Sequence, residues 1–424
     1  MEVMPSPIDG PVKLTCLMFR SSPRCVHRFP RGDVKLTDVR SSADVVIIGG
    51  GIVGSSIAYH LTTAGCRNVV VLERESHQGK GSTGKSMGGV RAQFATDLSI
   101  RMSLFSIPFF RDFDEILGHP SEYRPQGYLF IATEPRQLTY LRTNYEKQIS
   151  TGLKTVQLVT PEEIVQMVPQ VRSEDIIGGA FCSTDGFVDP YSVMTGFALG
   201  ALKQGASVVC NSLVTGVDRD VKGISAVRST RGTIATRTVV CAAGAWSAQV
   251  GRMAGVDLPV QPLRRMLVPT EPFDKISHAS PMTVDMATGF HFRPEARGLL
   301  MAWNDPDEKP GFNTDFDRAF VEKILTRGVH RFPVLEQAEV NPARGWAGLY
   351  EMTPDHHPIL GKMRGVEGFY IAAGFSGHGV MHSPATGKIM ADLILKGTTD
   401  LIDVRVLDCA RFSEGRLIEE TSVL

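Results

Sequence analysis

Ala43-Asp-Val-Val-Ile-Ile-Gly-Gly-Gly-Ile-Val-Gly-Ser-Ser-Ile-Ala-Tyr-His-Leu61, with Val69-Val-Val-Leu-Glu73 just beyond it, decides the fold of the first part of the chain. The apolar run before Gly49 reads as a buried parallel strand, and the apolar spacing from Ser55 to Ala64 reads as a helix. Between them, Gly49, Gly51 and Gly54 form G-x-G-x-x-G: one glycine for the tight turn, one for close approach of backbone to phosphate, one for close helix–strand packing. Glu73 ends a second strand 19 residues after Gly54, where a carboxylate can accept from a ribose diol. A helix N-terminus meeting bare backbone, with an acid at that distance, is built for a dinucleotide.

A chain with 42 glycines contains chance clusters, so the flanking strand, helix and acid carry the assignment rather than the glycines alone. The next segment, Arg74 to Arg91, is polar, glycine-rich and too irregular for helix or strand. An NAD domain would continue with a short crossover into another strand, whereas a flavin enzyme lays such a loop along the isoalloxazine and pyrophosphate. FAD is therefore expected.

At 424 residues the chain exceeds what one core usually supports, and two structural domains are expected. Lys plus Arg and Asp plus Glu each number 45, so no basic field addresses nucleic acid, and a small-molecule partner is favoured. The seven cysteines form no C-x-x-C pair, which argues against iron–sulfur, zinc and a disulfide framework and fits a reducing compartment. No stretch reaches the ~20 apolar residues of a membrane span. Residues 1–42 are rich in Pro, Arg and Ser without periodicity and are expected to be a disordered extension. Their arginines and serines suit a mitochondrial transit segment, but Glu2, Asp9, Asp33, Asp38 and five prolines do not, so a cytoplasmic protein is the first expectation and a mitochondrial one the alternative.

Farther along, helices are expected at Leu98–Leu117, Pro135–Ser150, Tyr191–Gln204 (capped by Asp189-Pro190), about Asp317–Gly328 and Pro384–Lys396, with Ser383 as the last one's cap. Thr160-Pro-Glu-Glu163 reads as a capping box. Strands are expected at Gly127–Thr133, along Ser207–Val217 and from Thr238, with more polar, antiparallel strands between Pro259 and Arg344 that present one polar face over a substrate. The fold class is thus α/β with two domains. A glutathione-reductase-like Rossmann domain takes 43–125, 186–258 and 345–424; an antiparallel-sheet substrate domain takes 126–185 and 259–344. Gly374, Gly377 and Gly379 form a second glycine turn that can lie against a flat ring, followed by a helix N-terminus able to stabilise negative charge on a reduced flavin.

The ordered motifs Gly49–Gly54, Glu73, Gly81-Ser-Thr-Gly-Lys-Ser86, Asp185-Gly-Phe-Val-Asp-Pro190, Ala243-Gly-Ala-Trp246, Tyr350-Glu-Met-Thr-Pro-Asp355 and Gly374-Phe-Ser-Gly-His-Gly379 resemble the D-amino-acid oxidase superfamily of FAD amine oxidoreductases, in its sarcosine oxidase, glycine oxidase and proline or sarcosine dehydrogenase branch. The resemblance covers about residues 43–400 and implies a cofactor-binding set of Gly49, Gly51, Ile52, Val53, Gly54, Glu73, Arg74, Ser82, Thr83, Ser86, Met87, Val214 (at the adenine), Ala243 and Gly244 (at the pyrophosphate), Trp246, Gly374, Gly377, Gly379, Val380 and Met381. It places Arg91, Tyr350 and His378 around the flavin face and substrate as the catalytic candidates. Alone, each of these three could be an ordinary packing or surface residue, and His356-His357 lacks the neighbours of a metal site.

Departures from the family pattern matter as much. The flavin-attaching cysteine of monomeric sarcosine oxidases is Gly348 here, and no histidine occupies the loop Gly84–Phe94, so non-covalent FAD is expected. By alignment of Gly298–Asn304, Leu300 stands where those oxidases carry an oxygen-activating lysine, which favours a dehydrogenase; Met381 replaces a carboxylate-binding lysine, which puts sarcosine itself in doubt. The expected function is oxidation of an amino acid or a secondary or N-methylated amine to an imine by hydride transfer to flavin N5. Electrons would pass to a quinone, a carrier flavoprotein or a partner subunit. The competing expectation is a flavin-binding respiratory-complex assembly factor with little amine turnover.

Overall fold

The computed structural model describes residues 40–418. The expected extension 1–42 lies outside these but for its last three residues, which are held at a sheet edge: Ala235 N–H donates to Ser41 O, and Arg40 Nη1 to Asn68 Oδ1.

A six-stranded sheet runs in the order 359–362, 369–373, 239–241, 45–48, 69–72, 207–209, with all pairs parallel except the first. Val45 and Ile47 point into one apolar cluster and Val46 and Ile48 into another, so the strand is buried on both faces, as its unbroken apolar sequence requires. The first cluster lies under the helices Ile52–Thr63, Pro190–Lys203 and Ser383–Lys396; the second lies against a three-stranded antiparallel sheet, 214–220, 223–229 and 232–235. Ile52–Thr63 and Ser383–Lys396 cross closely, Ser56 Oγ donating to Ser383 O at 2.7 Å, and a Cβ on Gly387 would stand 2.2 Å from Ser56 Oγ. That contact sets the two glycine turns, each just ahead of its helix, side by side.

An eight-stranded sheet runs 346–352, 261–269, 298–302, 291–295, 282–285, 128–132, 178–182, 156–159. Six of its seven pairings are antiparallel; 282–285 runs parallel to 128–132. Alternation sorts its side chains. Met266, Val268, Phe292, Leu299 and Met301 face the helix Phe320–Arg331, while Leu267, Leu300, Ala302, Met282, Tyr128 and Phe130 face the other way, toward the glycine turns. The polar residues do not share one face: Thr283 and Asp285 lie on the helix side and His291 and Arg293 on the other, and all four are buried because both faces of these strands are covered.

Several expected elements need correction. The run 98–117 is two helices, Asp97–Arg111 and Phe113–Leu117, separated at Asp112, whose φ −94° and ψ 11° leave the helical region. The run 207–217 is two strands in different sheets, 207–209 and 214–220, separated by a turn at Asn211 with φ +52°. Strand 346–352 pairs with 261–269 in the eight-stranded sheet, so the return to the parallel sheet expected at 345 comes only after Met352. Ser383 is the first helical residue rather than the cap, its Oγ donating to Val380 O. Among the described residues Cys66, Cys182, Cys241 and Cys409 are free thiols. By contrast, Thr160 and Glu163 form the expected capping box and Asp189 Oδ1 accepts the Ser192 N–H.

Candidate active site

The first glycine turn is tight because the protein packs into it. Gly49, at φ +113°, would place a Cβ 2.2 Å from Ala242 O, and Gly54 would place one 2.0 Å from Gly49 O, so neither can carry a side chain. Gly51 is not crowded in this way; its Cβ would meet Thr83 Oγ1 at 3.2 Å, which leaves the backbone there accessible from the cavity. Glu73 completes the turn: Oε2 accepts the Gly50 N–H at 3.0 Å and Oε1 the Glu75 N–H at 2.9 Å. Burial raises its pKa, and the two N–H donors oppose that rise. Beside it, the Arg74 guanidinium lies 3.7 Å over the Trp246 ring.

The irregular loop after Arg74 is fastened between the two large sheets. Thr83 Oγ1 accepts the Ile52 N–H at 3.0 Å at the start of the first helix, Ser82 Oγ donates to Leu349 O, Trp346 Nε1 donates to Lys85 O, and Arg293 Nε donates to Met87 O. The loop delivers Arg91 to the interior, where it is 1% exposed. Its Nη1 donates to Gln93 O at 2.6 Å, and its guanidinium lies 4.2 Å over Phe94. Asp185 fixes this segment by accepting from Ala92 N–H and Gln93 Nε2, and burial pushes its carboxyl up to about 6.

Arg91 Nη2 stands 3.4 Å from His378 Nε2. A guanidinium can only donate, so Nε2 is the acceptor and the imidazole proton sits on Nδ1. Burial, then the Arg91 charge, holds the His378 pKa well below its ordinary value, and the ring is neutral. Behind it, His382 is also neutral, pushed down to about 3, with Nε2 3.1 Å from Ser103 Oγ. Tyr350 projects from the eight-stranded sheet against Gly377, and burial raises its phenol pKa. The first-turn donors of helix Ser383–Lys396 are partly used inside the protein, Ser383 N–H on Val380 O and Ala385 N–H on Ser106 Oγ. The segment facing the cavity is therefore the 377–381 turn.

All of this surrounds one cavity of about 780 Å³. Its walls include Gly49, Gly51, Ile52, Val53, Glu73, Arg74, Ser82, Thr83, Ser86, Met87, Val214, Ala243, Gly244, Trp246, Gly377, Gly379, Val380 and Met381, together with Arg91, Tyr350 and His378. Gly54 and Gly374 stand behind the walls: Gly54 packs on Gly49, and Gly374, at φ +81°, would put a Cβ 2.4 Å from Thr353 Cγ2. Leu300 is also absent from the walls. It is 1% exposed inside the apolar layer, and Ala302, two residues along on the same face, reaches the cavity instead.

Among the wall residues that sequence reasoning did not single out are His291, Arg265, Glu351 and Lys85. His291 Nδ1 lies 3.0 Å from Gly289 O, which can only accept, so Nε2 carries the lone pair; burial pushes its pKa down to about 4. Glu351 Oε2 accepts the Gly374 N–H, and burial pushes the carboxyl up to about 7. A strand–turn–helix glycine backbone at one end, a bare Gly377–Gly379 turn at the other, and a continuous cavity between them fit an extended FAD. Among the described residues no group of three His, Cys, Asp or Glu side chains could hold a metal ion, and no helix is long and apolar enough to cross a membrane.

Known proteins agree with this geometry. FAD-dependent oxidoreductase domain-containing protein 1 of Xenopus laevis is 31% identical, over 90% of this chain and 85% of that protein. Mitochondrial dimethylglycine dehydrogenase of Mus musculus is 29% identical over 93% of this chain but 48% of that protein, so the chain spans about half the length of that relative. The crystal structure of L-proline dehydrogenase from P. horikoshii superposes with a TM-score of 0.83 at 30% identity, covering 90% of this chain and 100% of that one. A family model described as FAD dependent oxidoreductase matches residues 44–393. With most of its length so matched, the chain belongs to the FAD-dependent oxidoreductase family, and FAD is its cofactor.

Proposed function

We propose that the protein oxidises an amino acid or a secondary or N-methylated amine to an imine, as a dehydrogenase with non-covalently held FAD. The observation that carries this reading is the convergence of Arg91, Tyr350, His378 and His291 on the walls of one cavity that runs on to the Glu73 turn. The names of two relatives, a dimethylglycine dehydrogenase and an L-proline dehydrogenase, support a donor whose nitrogen is substituted. When bound, FAD supplies a two-electron acceptor for the hydrogen on the carbon next to that nitrogen.

The protein's own groups set the stage. Arg91 offers charge-assisted donors to a substrate carboxylate or to the flavin edge. Tyr350, kept protonated by burial, orients the substrate through its hydroxyl. His378 is neutral and can hydrogen-bond near the amine through Nδ1–H. His291, neutral with a lone pair on Nε2, can accept a hydrogen bond from the substrate amine. Imine hydrolysis then needs only water. Electrons leave to a quinone, a carrier flavoprotein or a partner subunit. A mitochondrial location is supported by the dimethylglycine dehydrogenase relative, a mitochondrial protein.

Anaerobic reduction of the bound flavin, followed as loss of its visible absorbance across a panel of amino acids and N-methyl amines, tests this. Bleaching by a substituted amine is expected. No bleaching by any donor would remove the enzymatic reading and favour a flavin-dependent assembly role.

A further inference from the structure

We propose that the cavity holds a second anion subsite, built on Arg265, and that the substrate is an amino dicarboxylate. This rests on the reading of the cavity as an amine-oxidising site. Arg265 stands on strand 261–269 opposite Gly348 and one pleat from Tyr350, and its guanidinium is 5.4 Å from the Tyr350 ring. It lines the cavity. Its Nε is sealed from solvent and has no hydrogen-bond partner, and its one side-chain hydrogen bond is a 3.3 Å contact from Nη1 to Arg264 O. The nearby acids are engaged elsewhere, Glu308 by Arg264 and Asp305 by Lys323, and act on Arg265 only at longer range.

A partly buried guanidinium without a carboxylate partner is costly, and an anion in the cavity accepting from its terminal amino groups would offset that cost. Arg91 and Arg265 both act on the Tyr350 hydroxyl and the His291 imidazole, which places two cations around one reaction corner. One carboxylate can engage one fork. A substrate with a second carboxylate on its side chain would engage both, and its amine would then lie between them, by Tyr350 and His291.

Two measurements on the FAD-loaded protein decide the matter. Shifts in bound-flavin absorbance give dissociation constants for the inert probes succinate and glutarate against acetate and propionate. Dicarboxylates should bind at least about tenfold more tightly, as expected for an added charge-assisted pair. Anaerobic bleaching should likewise prefer N-methylaspartate or N-methylglutamate to N-methylglycine. Arg265→Met should abolish both preferences with FAD content unchanged, and Arg265→Lys should keep part of them. Equal affinities in the unmodified protein, or a preference that survives Arg265→Met, would overturn the subsite while leaving amine oxidation standing. Loss of FAD from Arg265→Met with the dicarboxylate preference intact would reassign the arginine to the cofactor and also overturn it. Tight dicarboxylate binding lost in Arg265→Met, without bleaching by any amine, would instead uphold the subsite and remove the amine-oxidising reading. If Arg265→Met does not fold, the affinities of the unmodified protein decide alone.

Discussion

Gly377 and Tyr350 share one space: a Cβ on Gly377, which sits at φ +102°, would lie 2.4 Å from Tyr350 Cε2. The turn that carries His378 and the strand that carries Tyr350 belong to different sheets, and this contact is where the two surfaces close on each other. Gly379 is different, since a Cβ there would make only ordinary contacts at 3.5 Å with Phe375. Within the protein itself, only the first glycine of Gly-His-Gly is sterically required.

Gly377→Ala should therefore lower stability by at least about 1 kcal/mol through backbone strain alone, with the ring clash added. It should also weaken binding of substrate analogues by displacing Tyr350. In a double-mutant cycle, Tyr350→Ala should recover the clash part of the loss and leave the strain part. Additive melting-temperature changes would show that the ring and the glycine do not meet.

Glu73 holds the turn itself as well as any ribose, since it accepts from Gly50 and Glu75. Glu73→Ala should reduce FAD affinity by about tenfold or more, on the scale of a lost charged hydrogen bond, and should lower the stability of the FAD-stripped protein too. Unchanged FAD affinity by equilibrium dialysis would count against the assigned turn.

At position 348, space as well as residue type argues against a flavin-attaching cysteine. A Cβ at Gly348 would meet Lys85 Cβ at 3.1 Å, so a cysteine there would crowd the loop. Acid precipitation should give a colourless polypeptide and a yellow supernatant; colour retained on the pellet would refute the expectation.

Glu351 gives a pH dependence of defined sign. Its carboxyl lies near 7 in the folded protein against an ordinary 4.5, so the folded state binds the proton more tightly than the unfolded chain. Its stabilisation is complete below about pH 4.5, declines as pH rises to about 7 and is flat beyond. Asp185, raised to about 6, acts in the same direction over the lower part of that window. Urea unfolding of FAD-stripped protein should therefore show less loss of stability between pH 5 and 7 in Glu351→Gln than in the parent. The difference should be about 1.4 kcal/mol per pH unit at its steepest. Parallel profiles would show that Glu351 titrates normally.

What was legible in the sequence was set by local rules. The turn at Gly49–Gly54, the capping box at Thr160 and the cap at Asp189 depend on neighbours in the chain, and each formed as expected. His291 and Arg265 were not legible, because strand alternation makes half the residues face the cavity and only strand pairing reveals which half. Leu300 was misplaced for the related reason that knowing the strand does not tell which residue along it reaches the cavity, here Ala302. Glu351, beside Tyr350 in the quoted motif, could have been singled out as an acid in an otherwise apolar strand.

The electron acceptor is the question on which that misplacement bears. Reduction of oxygen by a flavin begins with one-electron transfer to form superoxide, so a nearby cation lowers the barrier electrostatically. Leu300 does not set that barrier, since it is buried behind the wall and Arg265 is a cation in the wall itself. Arg265 is a fixed, bulky fork rather than a slender ammonium, and a carboxylate bound to it would neutralise its charge during turnover. Slow oxygen use during turnover is still expected: with substrate present, reoxidation should be at least tenfold faster with an artificial quinone or dye than with air, the scale of a lost stabilising charge of about 1.4 kcal/mol or more. Leu300→Lys should lower stability by burying an unpaired ammonium and leave the oxygen rate unchanged. Ala302→Lys, on the same face but at the cavity, should raise it. Peroxide formation by the unmodified protein at a rate matching its dye rate would make it an oxidase, with Arg265 as the activating charge.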